Sequence, residues 1–275
     1  MPAIQPVRLK QHAAQLAEKF ADPAALVRGL HEMLEFYAER TRRPGQSGKP
    51  GPLAMAYKVH PPVLRQVYQE LAPRASAAPE QALALCDVLW QQPYLEFRQL
   101  ASLLLGVIPV EAPVEVTQRL QAWLVPSLEE HLVQALLSDA LLSLRREQPQ
   151  AIVQLAQDWL DRASVFHRHL GLAVLLPLIN APEFENLPVF FRLVHPLVRQ
   201  SPSALRPDVL DVLEALARRS PKETAYFLRQ TLSLPNCPDT PWFIRQLLPV
   251  FPEEVQKRLR EDVRRPEAVP GDLRE

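Results

Sequence analysis

The stretch ALCDVLWQQPYLEFRQLASLLL at residues 84–105 contains two apolar segments of helical length, separated by the break Gln91-Gln92-Pro93. In the second segment, apolar side chains recur at the three- and four-residue spacing of one helix face. They are Phe97, Leu100, Ala101, Leu104 and Val107. This period predicts an amphipathic helix between residues 94 and 107. The stretch therefore predicts a pair of helices joined by a short break.

Prolines divide much of the chain into similar intervals of 33 to 39 residues. The prolines that open or precede a helical segment, as expected in a helix's first turn, are Pro79, Pro113, Pro149, Pro188 and Pro221. Breaks at 126–127, 162–164 and 201–203 split each interval into two helices. Such periods are typical of α-solenoids, with a plain helical bundle as the alternative. We therefore predict an all-α fold: one right-handed solenoid domain of HEAT-like helix pairs (the ARM/HEAT type) over residues 1–262, with a disordered tail at 263–275.

Composition excludes several classes of protein. The 275 residues include only 7 glycines, and no Gly-rich phosphate-binding loop is present. Cys86 and Cys237 are too few for a disulfide framework or a cysteine zinc site. No His-x-x-x-His spacing occurs, so we expect neither a metal nor a cofactor. With no apolar run of about 18 residues and no signal-peptide core, we expect a soluble, cytoplasmic protein.

Charge is balanced overall but concentrated locally. The chain has 31 basic and 31 acidic residues, so any affinity for nucleic acid has to come from a local patch. Residues 40–74 hold seven basic side chains against a single acid, Glu70. Within this stretch, TRRPGQSGKPGP at 41–52 is rich in Gly and Pro and predicts a mobile loop.

The segment Leu128–Arg146 is apolar nearly all round and predicts a continuous helix. Its polar side chains form one narrow stripe, which consists of Glu130, Gln134, Ser138 and Arg145. Such a stripe fits an inner helix that lines a concave groove, although an ordinary half-exposed helix is the alternative. At 100° per residue, Asp139 falls among Leu128 and Leu132, and we expect it on the apolar face.

Arginine pairs end several helical segments. These pairs are Arg145-Arg146, Arg218-Arg219 and Arg264-Arg265. We expect them to complement the negative end of their own helix dipole.

Two stretches resemble the opening of the AlkD-like DNA alkylation repair proteins, which are HEAT-repeat DNA glycosylases that excise alkylated purines. The first is AYKVHPPVLRQVYQEL at 56–71, with the pattern Val59, Pro62, Arg65. The second is the stretch at 84–105, with the pattern Leu89, Trp90, Pro93, Glu96. SPKETAYFLRQ at 220–230 is also similar to a family helix start, and the similarity extends over about residues 55–235.

The resemblance implies double-stranded DNA, normal or alkylated, as a partner on the concave face. The family's groove carries Trp-Trp-Asp and a second Asp on one inner helix, an Arg on the next and a Trp on the one after. In this register Glu130 and Gln134 fall at the positions of a Trp and the catalytic Asp, His169 at the Arg and Asp211 near the last Trp. Gln supplies no charge for the sugar cation that develops as the base leaves, and the aromatic walls are missing.

The residues alone give a different interpretation of His169. Its helical neighbours Val165 and Leu172 are apolar, which indicates a core histidine. Next to it, His167 and Arg168 could bind an anion near a helix start.

Three functions stay open. The first is a DNA-binding protein of the alkylation repair type whose excision chemistry is lost or altered. The second is an active glycosylase with substituted groove residues, and the third is a protein-interaction scaffold. The groove candidates are Glu130, Gln134 and His169. The candidate nucleic-acid-binding residues are Arg42, Arg43, Lys49, Lys58, Arg65, Arg145 and Arg168. Whether the protein is an enzyme is undecided at this point.

Overall fold

A computed structural model describes residues 5–38, 55–109 and 113–264. Over these ranges the protein is all-helical, without a β-strand. The α-helices are α1 (Pro6–Ala17), α2 (Pro23–Tyr37), α3 (Pro61–Ala77), α4 (Pro79–Trp90), α5 (Leu95–Leu105), α6 (Pro113–Trp123), α7 (Glu130–Ser138), α8 (Leu142–Glu147), α9 (Pro149–Leu160), α10 (Val165–Ala173), α11 (Leu175–Ile179), α12 (Pro188–Arg199), α13 (Arg206–Arg219), α14 (Pro221–Leu232), α15 (Thr240–Leu247) and α16 (Glu253–Arg264). Among these helices, none combines the length and hydropathy that a membrane crossing requires.

The prolines mark the helix starts as predicted. Helices α4, α6, α9, α12 and α14 begin at the five prolines named above, and the predicted breaks lie between the helices of each interval. Proline is suited to the first turn because its fixed φ fits a helix and its missing N–H would have no intrahelical partner there. The all-α prediction is therefore confirmed.

The helices form two compact units, the first ending at Gln148 and the second beginning at Pro149. In the first unit α4 packs on α5, while α3 contacts α5 and α5 contacts α7. In the second unit α9 packs on α10, while α10 contacts α13 and α13 contacts α15. The largest fully buried side chains are Phe97 in the first unit and Trp159, Phe190 and Phe243 in the second. Within each unit, helices thus contact both their sequence neighbour and a helix of the next pair.

The predicted helix Leu128–Arg146 is in fact two helices, α7 and α8, separated at residues 139–141. The cause is the close approach of the end of α5. A Cβ atom on Gly106 would lie 1.8 Å from the Asp139 carbonyl oxygen. The amide and hydroxyl of Ser143 both donate to the Gly106 carbonyl, at 3.0 and 2.7 Å. Tertiary contact therefore interrupts a sequence that would otherwise favour one helix.

The predicted role of Arg219, to complement the negative end of the dipole of its own helix α13, is not what the structure shows. Its guanidinium donates to the carbonyls of Ile179 and Ala181 at 2.6 and 2.7 Å, and also to that of Phe184. These carbonyls belong to the end of α11 and the turn that follows it, so Arg219 caps a neighbouring helix. Arg218 instead pairs with Glu214 at 2.6 Å, one turn earlier on α13.

The predicted boundaries are tested only in part. The predicted mobile loop at 41–52 lies outside the described residues. Helix α16 continues to Arg264, and residues 265–275 lie outside the described part, so the disordered tail at 263–275 stays a prediction.

Candidate nucleic-acid interface

The polar stripe predicted on α7 is present in the first unit. Glu130, Gln134 and Ser138 are exposed, while Leu132, Val133, Leu136 and Leu137 of the same helix are buried. The Gln134 amide donates to Glu130 Oε1 at 2.8 Å, and the Ser138 hydroxyl donates to the Gln134 carbonyl at 2.7 Å. The Glu130 carboxylate is therefore bound to a neutral amide at the position that resembles the family's carboxylate.

Asp139 does not lie on the apolar face as predicted. It is half-buried at the C-terminal cap of α7, and the Ser138 hydroxyl lies 3.2 Å from its Oδ1. Its backbone keeps helical φ and ψ, and its amide donates to the Ala135 carbonyl at 2.8 Å, but its side chain lies beside the hydroxyl of the exposed Ser138. The structure therefore adds a second carboxylate to the end of the stripe.

Arg145 is turned towards the protein rather than towards solvent. Its guanidinium donates to the Ser138 carbonyl at the end of α7, and its Nε is buried without a hydrogen-bond partner among the described residues. Burial lowers the pKa of Arg145, and the nearby Asp139 opposes this shift. Arg145 thus stabilises the break between α7 and α8.

In the second unit, His169 of α10 pairs with Asp208 of α13. The distance from Nδ1 to Oδ1 is 2.9 Å, and both side chains are half-exposed at 32% and 20%. His169 is therefore not the core histidine that its apolar neighbours indicate. Asp211 lies three residues after Asp208, and burial, followed by Asp208 and Glu214, raises the pKa of Asp211. His169 and Asp211, which the resemblance assigns to the family's Arg and to a place near its last Trp, thus lie in a cluster of one histidine and carboxylates.

Arg168 and His167 next to this pair are less available to an anion. The Arg168 Nε donates to the Arg162 carbonyl at 2.8 Å, in the turn before α10. Burial, aided by Arg162, lowers the pKa of His167. Both residues lie in the first turn of α10, and Arg168 binds the connection between α9 and α10.

Two further basic candidates, Lys58 and Arg65, are exposed. Lys58 lies in the extended segment before α3, and Arg65 lies on the second turn of α3. Arg42, Arg43 and Lys49 fall outside the described residues, so their positions stay predictions.

Residue-level prediction missed the role of Glu96, which is only 4% exposed. Its carboxylate accepts hydrogen bonds from the backbone amides of Tyr57 at 3.1 Å and Lys58 at 2.8 Å. The Leu95 amide donates to the Met55 carbonyl at 2.8 Å, so the segment before α3 is fixed to the start of α5. The sequence did contain one signal for this role, because Glu96 belongs to the motif that begins at Leu89.

Aromatic rings cluster around this connection. Tyr57 and Tyr94 are stacked with ring centres 4.6 Å apart, and the Tyr57 hydroxyl lies 2.7 Å from Nδ1 of His31. The His31 ring is 4.5 Å from that of Phe97. Burial raises the pKa of Tyr57 to about 12, and Tyr94 adds to the shift. Tyr57 and Tyr94 are both half-exposed, which leaves part of the stack accessible.

Trp90 of the same motif has a structural role. It stacks on Trp123 with ring centres 4.5 Å apart and an angle of 8°. The Arg98 guanidinium lies 5.6 Å above the Trp90 ring, and its Nε donates to the carbonyls of Trp90 and Gln92. The motif therefore fixes the turn between α4 and α5.

Within the described residues, no three His, Cys, Asp or Glu side chains are arranged to hold a metal ion.

Over the described residues the protein is all-helical, and the polar groups at its groove candidates lie on α7, α10 and α13. The model of the family described as DNA alkylation repair enzyme matches residues 55–240, well over half of the chain. The chain therefore belongs to the DNA alkylation repair enzyme family, as the motifs indicated. No curated protein and no solved structure matches it.

Proposed function

We propose that the protein binds duplex DNA through a HEAT-like α-solenoid and that its excision chemistry is lost or altered. The helix contacts within each unit support HEAT-like pairs, because each second helix packs on the second helix of the next pair. The free thiols Cys86 and Cys237 support a reducing, cytoplasmic location. Family membership supports DNA as the partner.

The exposed basic groups Lys58 and Arg65 support phosphate binding, and we include Arg42, Arg43 and Lys49 in the same interface. Arg145 and Arg168 each donate to a backbone carbonyl, so we assign them a smaller share of the contact. If about four phosphates are neutralised, the affinity should fall with salt at a slope of about −3.6 on a log–log plot.

The hydrogen bond between Gln134 and Glu130 carries the proposal about chemistry. At the position of the family's carboxylate stands a neutral amide, and this amide donates to the carboxylate of Glu130 one turn earlier on the same helix. Glu130 lies four residues earlier, which is about 6 Å along the helix from the expected place. A displaced charge stabilises the sugar cation poorly, because preorganised groups act at the position where charge develops.

The second candidate function is an altered excision activity rather than an absent one, and the position of Asp139 supports it. It is half-exposed next to Ser138, at the end of the same stripe. A carboxylate that adds about 1.4 kcal/mol of transition-state stabilisation gives a tenfold faster release. If Asp139 acts on the substrate, removal of its charge should therefore slow base release by a measurable factor.

Two measurements on the same samples test these proposals: binding to duplex DNA and release of a methylated purine from it. We expect a complex with the predicted salt slope and base release near background. Gln134→Asp alone should not restore release, because the aromatic walls are missing too. Robust wild-type release that Glu130→Gln or Asp139→Asn abolishes would establish an active enzyme with substituted residues.

A protein partner on the same surface is the remaining alternative, which the net charge of zero favours. Absence of a DNA complex at 50 mM salt, where phosphate contacts are strong, would exclude the DNA proposal and support the scaffold.

A further inference from the structure

Lys58 has an unusual backbone conformation. Its φ is 57°, in the left-handed region. Among the described non-glycine residues, Asn236, with a φ of 60°, is the other one with a positive φ. A Cβ atom in this region approaches the following carbonyl, so the conformation is unfavourable for lysine. Asparagine tolerates it better because its short polar side chain can hydrogen-bond locally. A strained residue of this kind persists only where the surrounding structure enforces it.

The buried carboxylate of Glu96 enforces this conformation. It accepts the backbone amides of both Tyr57 and Lys58, and charge-assisted hydrogen bonds of this kind are stronger than neutral ones. The flanks are also fixed, since Met55 bridges to Tyr94 and Val59 bridges to Ala38. All of these contacts use backbone atoms of the segment, so none of them requires a lysine side chain.

Glycine would therefore serve the fold better than lysine at position 58. The Lys58 side chain is exposed, and among the described residues no hydrogen bond or ion pair to its ammonium group is found. What lysine adds over glycine is thus one positive charge on a fixed stretch of backbone. The neighbouring Tyr57, stacked on Tyr94, adds a half-exposed aromatic surface beside that charge.

We propose that Lys58 contacts a phosphate of the bound DNA strand, and that Glu96 is the positioning residue that fixes Lys58 for this contact. This inference rests on the proposed DNA binding, and it identifies Glu96 as the residue that positions one of the DNA-binding cations, Lys58. A lysine ammonium on a fixed stretch of backbone can pair with a phosphate oxygen of duplex DNA, and such phosphate contacts supply affinity and position the protein on the duplex. The backbone strain at Lys58 is then explained by function rather than by folding.

The test combines thermal unfolding with titration of duplex DNA over a range of salt concentrations. Lys58→Gly should raise Tm by about 2 °C, because a domain of this size gains a few degrees when strain of this kind is relieved. The same variant should bind DNA several-fold more weakly and lower the salt slope by about 0.9, the share of one phosphate. Lys257→Gln removes an equal charge from the exposed face of α16 and should leave the slope unchanged.

Glu96 is tested by a double-mutant cycle. Glu96→Gln should weaken DNA binding in the wild-type background and lower the salt slope, measured well below its own Tm. In the Lys58→Gln background the same change should have no further effect on Kd, because both residues act through one ammonium group. Equal effects of Glu96→Gln in the two backgrounds would show a purely structural role and overturn the assignment.

The two proposals fail in different ways. If the wild-type protein binds DNA but Lys58→Gly leaves both Kd and the salt slope unchanged, the role of Lys58 is refuted and DNA binding stands. If the wild-type protein forms no complex, the proposed function fails and this inference fails with it. Asn236→Gly is the matched control for the strain, and its change in Tm should be smaller than that of Lys58→Gly.

Discussion

Gly106→Ala should destabilise the first unit strongly. The added Cβ would lie 1.8 Å from the Asp139 carbonyl oxygen and 2.9 Å from its carbonyl carbon. Both atoms belong to backbone, so no side-chain rotation can relieve the clash. The end of α5 and the turn between α7 and α8 would have to separate.

The size of the expected loss in the free energy of unfolding follows from the contacts that this separation breaks. The Ser143 amide and hydroxyl both donate to the Gly106 carbonyl, and two such hydrogen bonds contribute about 2 kcal/mol together. Overpacking of a close contact adds roughly 1–3 kcal/mol. The free energy of unfolding should therefore fall by about 3–5 kcal/mol, and Tm should fall by roughly 10 °C.

Gly29→Ala is the matched control, since Gly29 lies within helix α2. Its added Cβ would meet Leu16 Cδ1 at 2.9 Å and Lys19 Nζ at 3.0 Å, which are the ends of flexible side chains. Alanine also favours the helix by about 0.5–1 kcal/mol over glycine. We expect a Tm close to that of the wild type.

Thermal unfolding followed by circular dichroism compares the two variants. The Gly106→Ala protein should also lose DNA affinity if the stripe and the turn after it form part of the interface. A Tm within 2 °C of the wild type would refute the reasoning, because the backbone contact would then not be as close as the geometry requires.

Two further predictions concern the half-buried polar side chains of Arg219 and Tyr57. Arg219→Ala should lower the free energy of unfolding by about 2–4 kcal/mol in a denaturant titration, because the carbonyls at the end of α11 lose their donor. Arg218→Ala removes an exposed pair on the same helix and should change it by less than about 0.5 kcal/mol, so equal effects would contradict the capping role. Tyr57 should ionise near pH 12 in an ultraviolet titration, and this step should be absent in Tyr57→Phe. Because its pKa is raised in the folded state, the folded protein holds the proton more tightly, and its stability should fall as pH rises from 10 to 12 in the wild type more than in Tyr57→Phe.

Local sequence carried most of the information about the helices. The five prolines that open helices act through their own fixed φ and missing N–H, which need no tertiary partner. The apolar period of residues 94–107 likewise predicted α5, which spans Leu95–Leu105. The exposed side chains of Glu130 and Gln134 also followed from the helical period alone.

Tertiary structure decided the features that depend on groups distant in the sequence. The break after Ser138 arises from Gly106, which lies more than 30 residues earlier, and Asp139 at this break lies beside Ser138 at the end of the stripe. His169 pairs with Asp208, and the backbone of Lys58 is bound by Glu96, at sequence separations of 39 and 38 residues. A helical period reports the side chains one or two turns away on the same helix. It contains no information about the neighbouring helix, and the hydrogen bonds and close backbone contacts that define the candidate site are made there.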